Sequence, residues 1–203
     1  MKKNFKPYEP EYSQDWFSNN IPVWKKLLES LKDKPVSGIE IGSFEGRSTN
    51  WLMENIFTHE NSHLVCIDTF KGSTEHMNKG YDFTSLKQRF MKNTMAHHDR
   101  MEIIEGRSQE ILRNAAFLEK EYDFVYIDGS HQASDVLEDA VLTFRLLSSG
   151  GIMIFDDYMW KWDKNADMMD LMNPFPAISA FLGIMGGQYE LLHREYQVAV
   201  RKK

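Results

Sequence analysis

The chain has 203 residues, 42% of them hydrophobic, and a formal net charge of −6 from 24 basic and 30 acidic side chains. This length suits one α/β domain with a full core, and the acidic balance argues against a nucleic-acid surface. The sequence contains no run of 18 apolar residues to span a membrane and no apolar signal-peptide segment at its start. The single cysteine, Cys66, lies in an apolar run, so we expect a core thiol in a reduced, cytoplasmic protein.

The first 35 residues are predicted to form an arm followed by a packing helix. Pro22 is tolerated in the first turn of a helix. An apolar stripe with spacing i, i+3, i+4 and i+7 then follows at Trp24, Leu27, Leu28 and Leu31. Residues 32–35 end this helix. We therefore divide the chain into an arm with a packing helix, 1–35, and a main domain, 36–203.

A buried strand and a glycine turn open the main domain. Residues 36–41 form an apolar strand, and Gly42 and Gly46 bracket a turn that leads into an apolar-faced helix around Trp51. Such a turn directs backbone N–H groups and the positive helix end towards an anionic or carboxylate ligand. It is not the G-x-G-x-x-G of dinucleotide binders, which counts against a nicotinamide cofactor.

The second strand, 63–67, ends in Asp68, which falls 26 positions after Gly42. Rossmann-like folds place a ribose-binding carboxylate at about this distance. A strand-end aspartate can also simply cap the next turn, but the glycine turn upstream favours the ribose contact. Phe70 is placed to pack against a purine ring or against the core.

The middle of the chain alternates helices and strands. Residues 71–83 are polar and form a loop, and 84–95 are helical. A third strand at 101–104 is followed by E-G-R-S and a helix over 108–118. Ser108 lies near the cap of that helix.

Two apolar runs, 124–127 and 152–155, predict buried strands on either side of a helix over 133–147 that Gly150 and Gly151 end. A β-α-β unit of this kind makes its strands parallel. Both strands then end in carboxylates at the same edge of the sheet, Asp128 on one strand and Asp156 and Asp157 on the other. Ligands of open α/β sheets bind at this edge.

The C-terminal part begins with an irregular stretch, 159–175, whose length suggests a lid or binding loop. A helix over 176–185 follows. Residues 189–193 and 197–200 then form a closing hairpin. The chain is thus a mostly parallel sheet with an antiparallel end, unlike the six parallel strands of a dinucleotide-binding fold.

Five motifs together resemble those of class I S-adenosylmethionine-dependent methyltransferases. They are E-I-G-S-F-E-G-R-S-T (40–49), V-C-I-D (65–68), E-G-R-S (105–108), Y-D-F-V-Y-I-D-G-S-H (122–131) and G-G-I-M-I-F-D-D-Y (150–158). The pattern I-D-G-x-H with D-D-Y is similar to metal-dependent O-methyltransferases of the macrocin type, which act on sugar hydroxyls in natural products. The resemblance implies an α/β fold with a Rossmann-like seven-stranded sheet, mostly parallel with a C-terminal antiparallel hairpin and helices on both faces.

The resemblance also implies roles for the strand-end residues. Glu40 and Gly42 would hold the methionine end of S-adenosylmethionine, Asp68 the ribose hydroxyls, and 106–108 the adenine side. The full set expected to bind the cofactor is Glu40, Gly42, Ser43, Gly46, Ser48, Asp68, Thr69, Phe70, Gly106, Ser108 and Asp128.

A divalent cation is the second cofactor that the resemblance implies, held by Asp128, Asp156 and Asp157. Three carboxylates make a hard oxygen site, which suits Mg²⁺, with Mn²⁺ or Ca²⁺ as alternatives. In the competing interpretation, Asp156 and Asp157 merely terminate a strand and cap the segment after it.

His131 is the candidate catalytic base. It lies three residues after Asp128 and at or just before a helix start, where the positive dipole end favours the neutral imidazole, whereas neighbouring carboxylates oppose it. We expect His131 to take the proton of the acceptor hydroxyl, with Asp128 as the rival base if the metal lies elsewhere. Alternatively, His131 only caps the helix or touches the metal shell.

The sequence therefore predicts an S-adenosylmethionine-dependent methyltransferase that O-methylates a small-molecule hydroxyl, of sugar or natural-product type, with metal assistance. Its expected partner is a small-molecule acceptor, with no nucleic acid and no membrane, and a homodimer is compatible with the sequence. An NAD-linked oxidoreductase and a non-catalytic nucleotide-binding protein are the two alternatives.

Overall fold

A single sheet forms the centre of the molecule. The computed structural model describes residues 8–72, 83–114 and 120–203. The strands within these ranges are β1 (Ser37–Ile41), β2 (His63–Asp68), β3 (Met101–Glu105), β4 (Tyr122–Ile127), β5 (Leu147–Phe155), β6 (Tyr189–Arg194) and β7 (Val198–Lys202). Their order is β3-β2-β1-β4-β5-β7-β6, in which β1 to β5 are parallel and β7 is antiparallel to both β5 and β6. The predicted seven-stranded, mostly parallel sheet with a closing hairpin is confirmed.

Helices cover both faces of the sheet. The α-helices are α1 (Ile21–Leu27), α2 (Arg47–Asn55), α3 (Leu86–Asn93), α4 (Ser108–Ile111), α5 (Ala133–Leu146) and α6 (Pro174–Ile184), and short 3₁₀ helices span Ser18–Asn20, Glu29–Leu31 and Met95–Arg100. Neighbouring strand residues point to opposite faces, so Phe124 packs with α1, α2 and α3 whereas Val125 packs with α5 and α6. None of the described helices is long and apolar enough to cross a membrane.

The N-terminal segment packs into the same core as the sheet. Trp24 and Leu28 are completely buried, and both belong to the apolar cluster that contains Phe124 and Tyr126. The ring of Trp24 meets that of Tyr126 edge-on, with 4.7 Å between centroids. The division at residue 35 stays a prediction, but the first helix is a structural part of the sheet's core.

Strand β5 begins earlier than predicted. The helix ends at Leu146 rather than at the glycines, because Leu147 is already extended (φ −75°, ψ 129°) and pairs with Tyr122 of β4. Gly150, with φ +84°, therefore lies inside the strand. The predicted loop 71–83 and the end of the predicted helix 108–118 fall largely outside the described residues.

The pairing of β1 with β4 positions the site. Ile41 is in register with Ile127, and the Asp128 N–H donates to the Ile41 carbonyl at 2.8 Å. Gly42 and Asp128 therefore leave the sheet side by side. The sheet order changes direction at this point, between β1 and β4, and ligands of open α/β sheets bind at such a switch point.

Gly42→Ala should destabilise the protein by more than about 2 kcal/mol. Gly42 has φ +82°, and an added Cβ would lie 2.0 Å from the Asp128 carbonyl oxygen. A left-handed conformation alone costs a side-chain-bearing residue about 1–2 kcal/mol, and the steric clash adds to that cost. Urea unfolding measures the change.

Gly183→Ala is the matched control, because an added Cβ in that helical position meets nothing within 4 Å. We expect this variant to gain about 0.5–1 kcal/mol. Equal stability changes at the two glycines would contradict the tight β1–β4 contact.

Candidate active site

A cleft of about 1100 Å³ opens at the carboxyl ends of β1 to β5. It is lined by most of the residues that the sequence singles out, namely Gly42, Ser43, Ser48, Asp68, Thr69, Gly106, Ser108, Asp128, His131, Asp156 and Asp157. Glu40, Gly46 and Phe70 do not line it. The topology thus brings together residues from five strand ends.

Asp68 holds the turn that follows β1. One carboxylate oxygen accepts the N–H groups of Ser43 at 2.8 Å and Phe44 at 2.9 Å, and the other accepts the Phe70 N–H at 2.6 Å. Burial raises the pKa of Asp68 above its usual value, although these three donors act in the opposite direction. An ionised carboxylate has about four acceptor positions, so about one remains for a ligand hydroxyl.

Glu40 supports the same turn from inside the protein. It is completely buried and accepts the hydroxyls of Ser43 at 2.8 Å and Ser48 at 2.6 Å, together with that of Thr49. Burial raises the pKa of Glu40. Its carboxylate is therefore enclosed by the turn and the first residues of α2 instead of facing the cleft.

Gly46 and Phe70 also face the protein interior. An added Cβ on Gly46 would meet the side chains of Thr94 and Phe90, so this glycine permits a close approach to α3. The ring of Phe70 is 6% exposed and packs on Phe90, with 5.2 Å between centroids. Of the two alternatives for Phe70, the structure has the core contact.

Asp128, His131 and Asp157 form a compact acidic centre. Each of these residues offers one ligand atom, and the three atoms lie within 4.8 Å of one another. His131 Nε2 lies 2.8 Å from Asp157 Oδ2, and the imidazole packs against Trp160 with 4.1 Å between ring centroids. The carboxylate oxygens of Asp128 and Asp157 suit a hard divalent cation such as Mg²⁺ or Mn²⁺.

Asp156, the third carboxylate of the predicted metal set, is held by donors of the protein. One of its oxygens accepts the Gln197 amide at 2.7 Å and the Tyr126 hydroxyl, and the other accepts the Asp157 N–H at 2.7 Å. Protein donors therefore reach both oxygens, as they do at Asp68, and about one acceptor position remains. The ligand atoms that group by distance are those of Asp128, His131 and Asp157, and the metal role of Asp156 stays a prediction.

Negative charge accumulates at this centre. Burial raises the pKa of Asp128 well above its usual value, and the charges of Asp156 and Asp157 add to that effect. Burial and the neighbouring Asp157 raise the pKa of Asp156 to about 6. The Tyr126 hydroxyl lies within hydrogen-bond distance of both Asp128, at 2.9 Å, and Asp156, and its single proton offsets part of the repulsion between them. A bound cation would relieve the remainder, because an opposite charge favours the ionised carboxylates.

The N-terminal arm forms one wall of the cleft, which sequence reasoning missed. The arm residues that line the cleft are Gln14, Asp15, Trp16, Phe17, Asn19 and Asn20. The buried Glu45 side chain accepts the Ser13 N–H at 2.6 Å and the Ser13 hydroxyl at 2.8 Å, and Trp16 stacks on Phe44 with 4.9 Å between centroids. The only signal in the sequence was the pair of aromatic residues within a polar arm.

The turn between β6 and β7 forms a second wall that the sequence did not predict. The turn contributes Glu195, Tyr196 and Gln197 to the cleft, and the end of β6 contributes His193. The Tyr196 hydroxyl donates to Asp157 Oδ1 at 2.7 Å, and burial together with this carboxylate raises the pKa of Tyr196. In the sequence these residues look like an ordinary hairpin turn.

Known proteins resemble both the sequence and the fold. A protein of Acanthamoeba polyphaga mimivirus, called "Uncharacterized protein R132", is 25% identical over 177 residues, which cover 85% of this chain and 72% of that protein. An O-methyltransferase from Bacillus cereus, solved in complex with SAH, has a TM-score of 0.62 at 17% identity and covers 94% of this chain and 84% of its own.

The methyltransferase MycE of mycinamycin biosynthesis, solved with Mg, SAH and mycinamycin VI, has a TM-score of 0.63 at 16% identity. The match covers 93% of this chain and 50% of MycE. These two solved structures share the fold described above. Residues 39–158 match the family described as "Methyltransferase domain", which is more than half of the sequence. The chain therefore belongs to this methyltransferase family and has the class I S-adenosylmethionine-dependent methyltransferase fold.

Proposed function

We propose that the protein transfers the methyl group of S-adenosylmethionine to a hydroxyl of a small-molecule acceptor, with a divalent cation assisting. One observation carries this proposal. The turn held by Asp68 and the acidic centre of Asp128, His131 and Asp157 lie in the same cleft. A methyl donor bound at the turn can thus meet an acceptor oxygen at the acidic centre.

The cleft fits the cofactor in size and chemistry. Its volume of about 1100 Å³ is at the upper end of ligand sites, so both a cofactor and an acceptor can enter. Asp68 keeps about one acceptor position for a ribose hydroxyl. The backbone of Gly42 allows close approach beside Asp128, and Gly106 and Ser108 line the side expected to receive the adenine.

The donor set at the acidic centre fits a divalent cation. Asp128 and Asp157 would hold it, with His131 beside them as the base, and the mutual repulsion of the carboxylates supports this assignment. When bound, the cation would orient the acceptor hydroxyl and lower its pKa.

The protein's own residues would move the proton. As the acceptor oxygen forms a bond to the methyl carbon and the carbon–sulfur bond breaks, the hydroxyl proton passes to His131. Asp157 lies 2.8 Å from the imidazole and stabilises the positive charge that the ring gains. Asp128 is the rival base if the cation lies elsewhere. Alignment of the two reactants in the cleft supplies much of the remaining rate.

The side chains that line the rest of the cleft suit a polyhydroxylated acceptor of sugar or natural-product type. Asp15 and Asn19 offer hydrogen-bonding groups there, and Trp16 and Trp160 offer aromatic surfaces. The MycE structure, which contains mycinamycin VI together with Mg and SAH, has the same fold. A methyl-transfer screen over sugars, catechols and small phenols, each with and without Mg²⁺, tests the proposal. No methyl transfer to any of these hydroxyl compounds would contradict it.

Asp68→Ala should weaken the binding of S-adenosylmethionine or SAH by about 10- to 100-fold. A hydrogen bond from a ribose hydroxyl to a charged acceptor contributes about 1.5–3 kcal/mol. Calorimetry without added metal measures the loss.

Asp123→Ala is the control for Asp68→Ala. Its carboxylate also accepts a backbone N–H, that of Ser37 at 2.9 Å, but at the opposite end of the sheet. Both variants lose stability, and only Asp68→Ala should lose cofactor affinity. Unchanged affinity in Asp68→Ala would remove Asp68 from the cofactor site.

Activity should require a divalent cation. Exhaustive EDTA treatment should abolish methyl transfer, and added Mg²⁺ or Mn²⁺ should restore it. Asp128→Asn and Asp157→Asn should each raise the dissociation constant of Mn²⁺ at least tenfold, because each removes a charged ligand. Full activity in a protein shown by elemental analysis to be metal-free would refute the requirement.

His131→Ala should lower kcat by about 10²- to 10⁴-fold, the usual contribution of a general base, while cofactor affinity holds. Titration with Mn²⁺ separates the two roles open to His131. If His131 is only a base, its removal leaves Mn²⁺ affinity nearly unchanged. If it is a ligand, its removal weakens Mn²⁺ binding. A variant whose kcat stays within threefold of wild type would exclude His131 from the mechanism.

A further inference from the structure

Gln197 connects the first helix to the acidic centre through buried hydrogen bonds. The Trp24 indole N–H donates to Gln197 Oε1 at 2.7 Å across 173 positions of sequence, and Gln197 Nε2 donates to Asp156 Oδ2 at 2.7 Å. Trp24 is 0% exposed and Gln197 is 3% exposed. An indole N–H can only donate, so it fixes the amide with its oxygen towards α1 and its NH₂ towards Asp156.

Asp156 connects Gln197 to the next residue of the chain through further hydrogen bonds. Gln197 and the Tyr126 hydroxyl hold one of its oxygens, and the other accepts the Asp157 N–H at 2.7 Å. With both oxygens engaged inside the protein, Asp156 has a fixed orientation. The side chain that reaches the cluster with Asp128 and His131 is instead that of Asp157.

Asp157 needs such support, because its backbone is in the left-handed region with φ +59°. Residues with a Cβ rarely adopt this conformation unless their surroundings impose it. The hairpin turn holds Asp157 from the other side as well. The Tyr158 N–H donates to the Tyr196 carbonyl at 2.9 Å, and the Tyr196 hydroxyl donates to Asp157 Oδ1 at 2.7 Å.

We infer that Gln197 is a positioning residue of the acidic centre. Through Asp156 it keeps Asp157 in the backbone conformation from which the Asp157 carboxylate meets Asp128 and His131, and Trp24 sets the direction of its amide. Asp156 is then the link between Gln197 and the cation site. This inference rests on the proposed metal-assisted function and adds to it the residues that preorganise the site.

Gln197→Met tests the inference, because methionine keeps the length of the side chain and removes both hydrogen bonds. The full-length protein is titrated with Mn²⁺ alone and, separately, with SAH. We expect the dissociation constant of Mn²⁺ to rise at least tenfold and that of SAH to stay within threefold of wild type. Gln188→Met, at an exposed glutamine beyond α6, is the control and should change neither constant.

Trp24→Phe is the second variant, for the case in which Gln197→Met does not fold. It keeps an aromatic ring in the core and removes the N–H that orients Gln197, so Mn²⁺ affinity should again fall while SAH affinity holds. A double-mutant cycle adds a readout that general destabilisation does not give. If Gln197 acts through Asp156, the losses from Gln197→Met and Asp156→Asn should be clearly less than additive.

The outcomes separate this inference from the proposed function. A wild-type protein that binds no Mn²⁺ would overturn both. The wild-type protein can bind Mn²⁺ while a folded Gln197→Met or Trp24→Phe variant has a Mn²⁺ dissociation constant within threefold of wild type. That result would overturn the positioning role alone. Additive losses in the cycle would also overturn it.

Discussion

The contact between the ends of β1 and β4 is the constraint on which the rest of the site depends. The parallel register places Gly42 directly against the Asp128 carbonyl, where an added Cβ would lie at 2.0 Å. This approach joins a turn rich in backbone N–H groups to the first carboxylate of an acidic centre. The two halves of the cleft therefore share one fixed boundary, which no loop movement can change without separating the strands.

The acidic centre is costly to the isolated fold. Burial and neighbouring carboxylates raise the pKa values of both Asp128 and Asp156, so ionising either group in the folded protein is disfavoured. The structure reduces the cost with donors, namely the Tyr126 hydroxyl and the Gln197 amide. Apolar residues at these positions would stabilise the fold better than buried carboxylates do. A cluster of carboxylates that needs such support is therefore expected of a binding site.

Much of this site could be predicted from the sequence, because each strand is an apolar run that a glycine or an acid ends. That local pattern located Gly42, Asp68, Asp128 and Asp157 at one edge. The pattern could not show that Glu40 is enclosed, or that His131 and not Asp156 groups with the other two ligand atoms, because these outcomes depend on side-chain direction. Hydrogen bonds such as that between Trp24 and Gln197 join residues far apart in the chain and leave no periodic signal.

Different structural elements build the two sides of the cleft. The parallel strands and their turns build the side with Asp68, Gly106 and Ser108, whereas segments outside the parallel sheet build the other side. Hydrogen bonds attach these segments to the rest of the domain, such as that of Ser13 with Glu45 and that of the Ala133 N–H with the Leu171 carbonyl at 2.8 Å. On the proposed function, the first side receives the cofactor and the second the acceptor. Loops carried by a rigid scaffold tolerate change, so acceptor choice can alter in these segments while the cofactor side is kept.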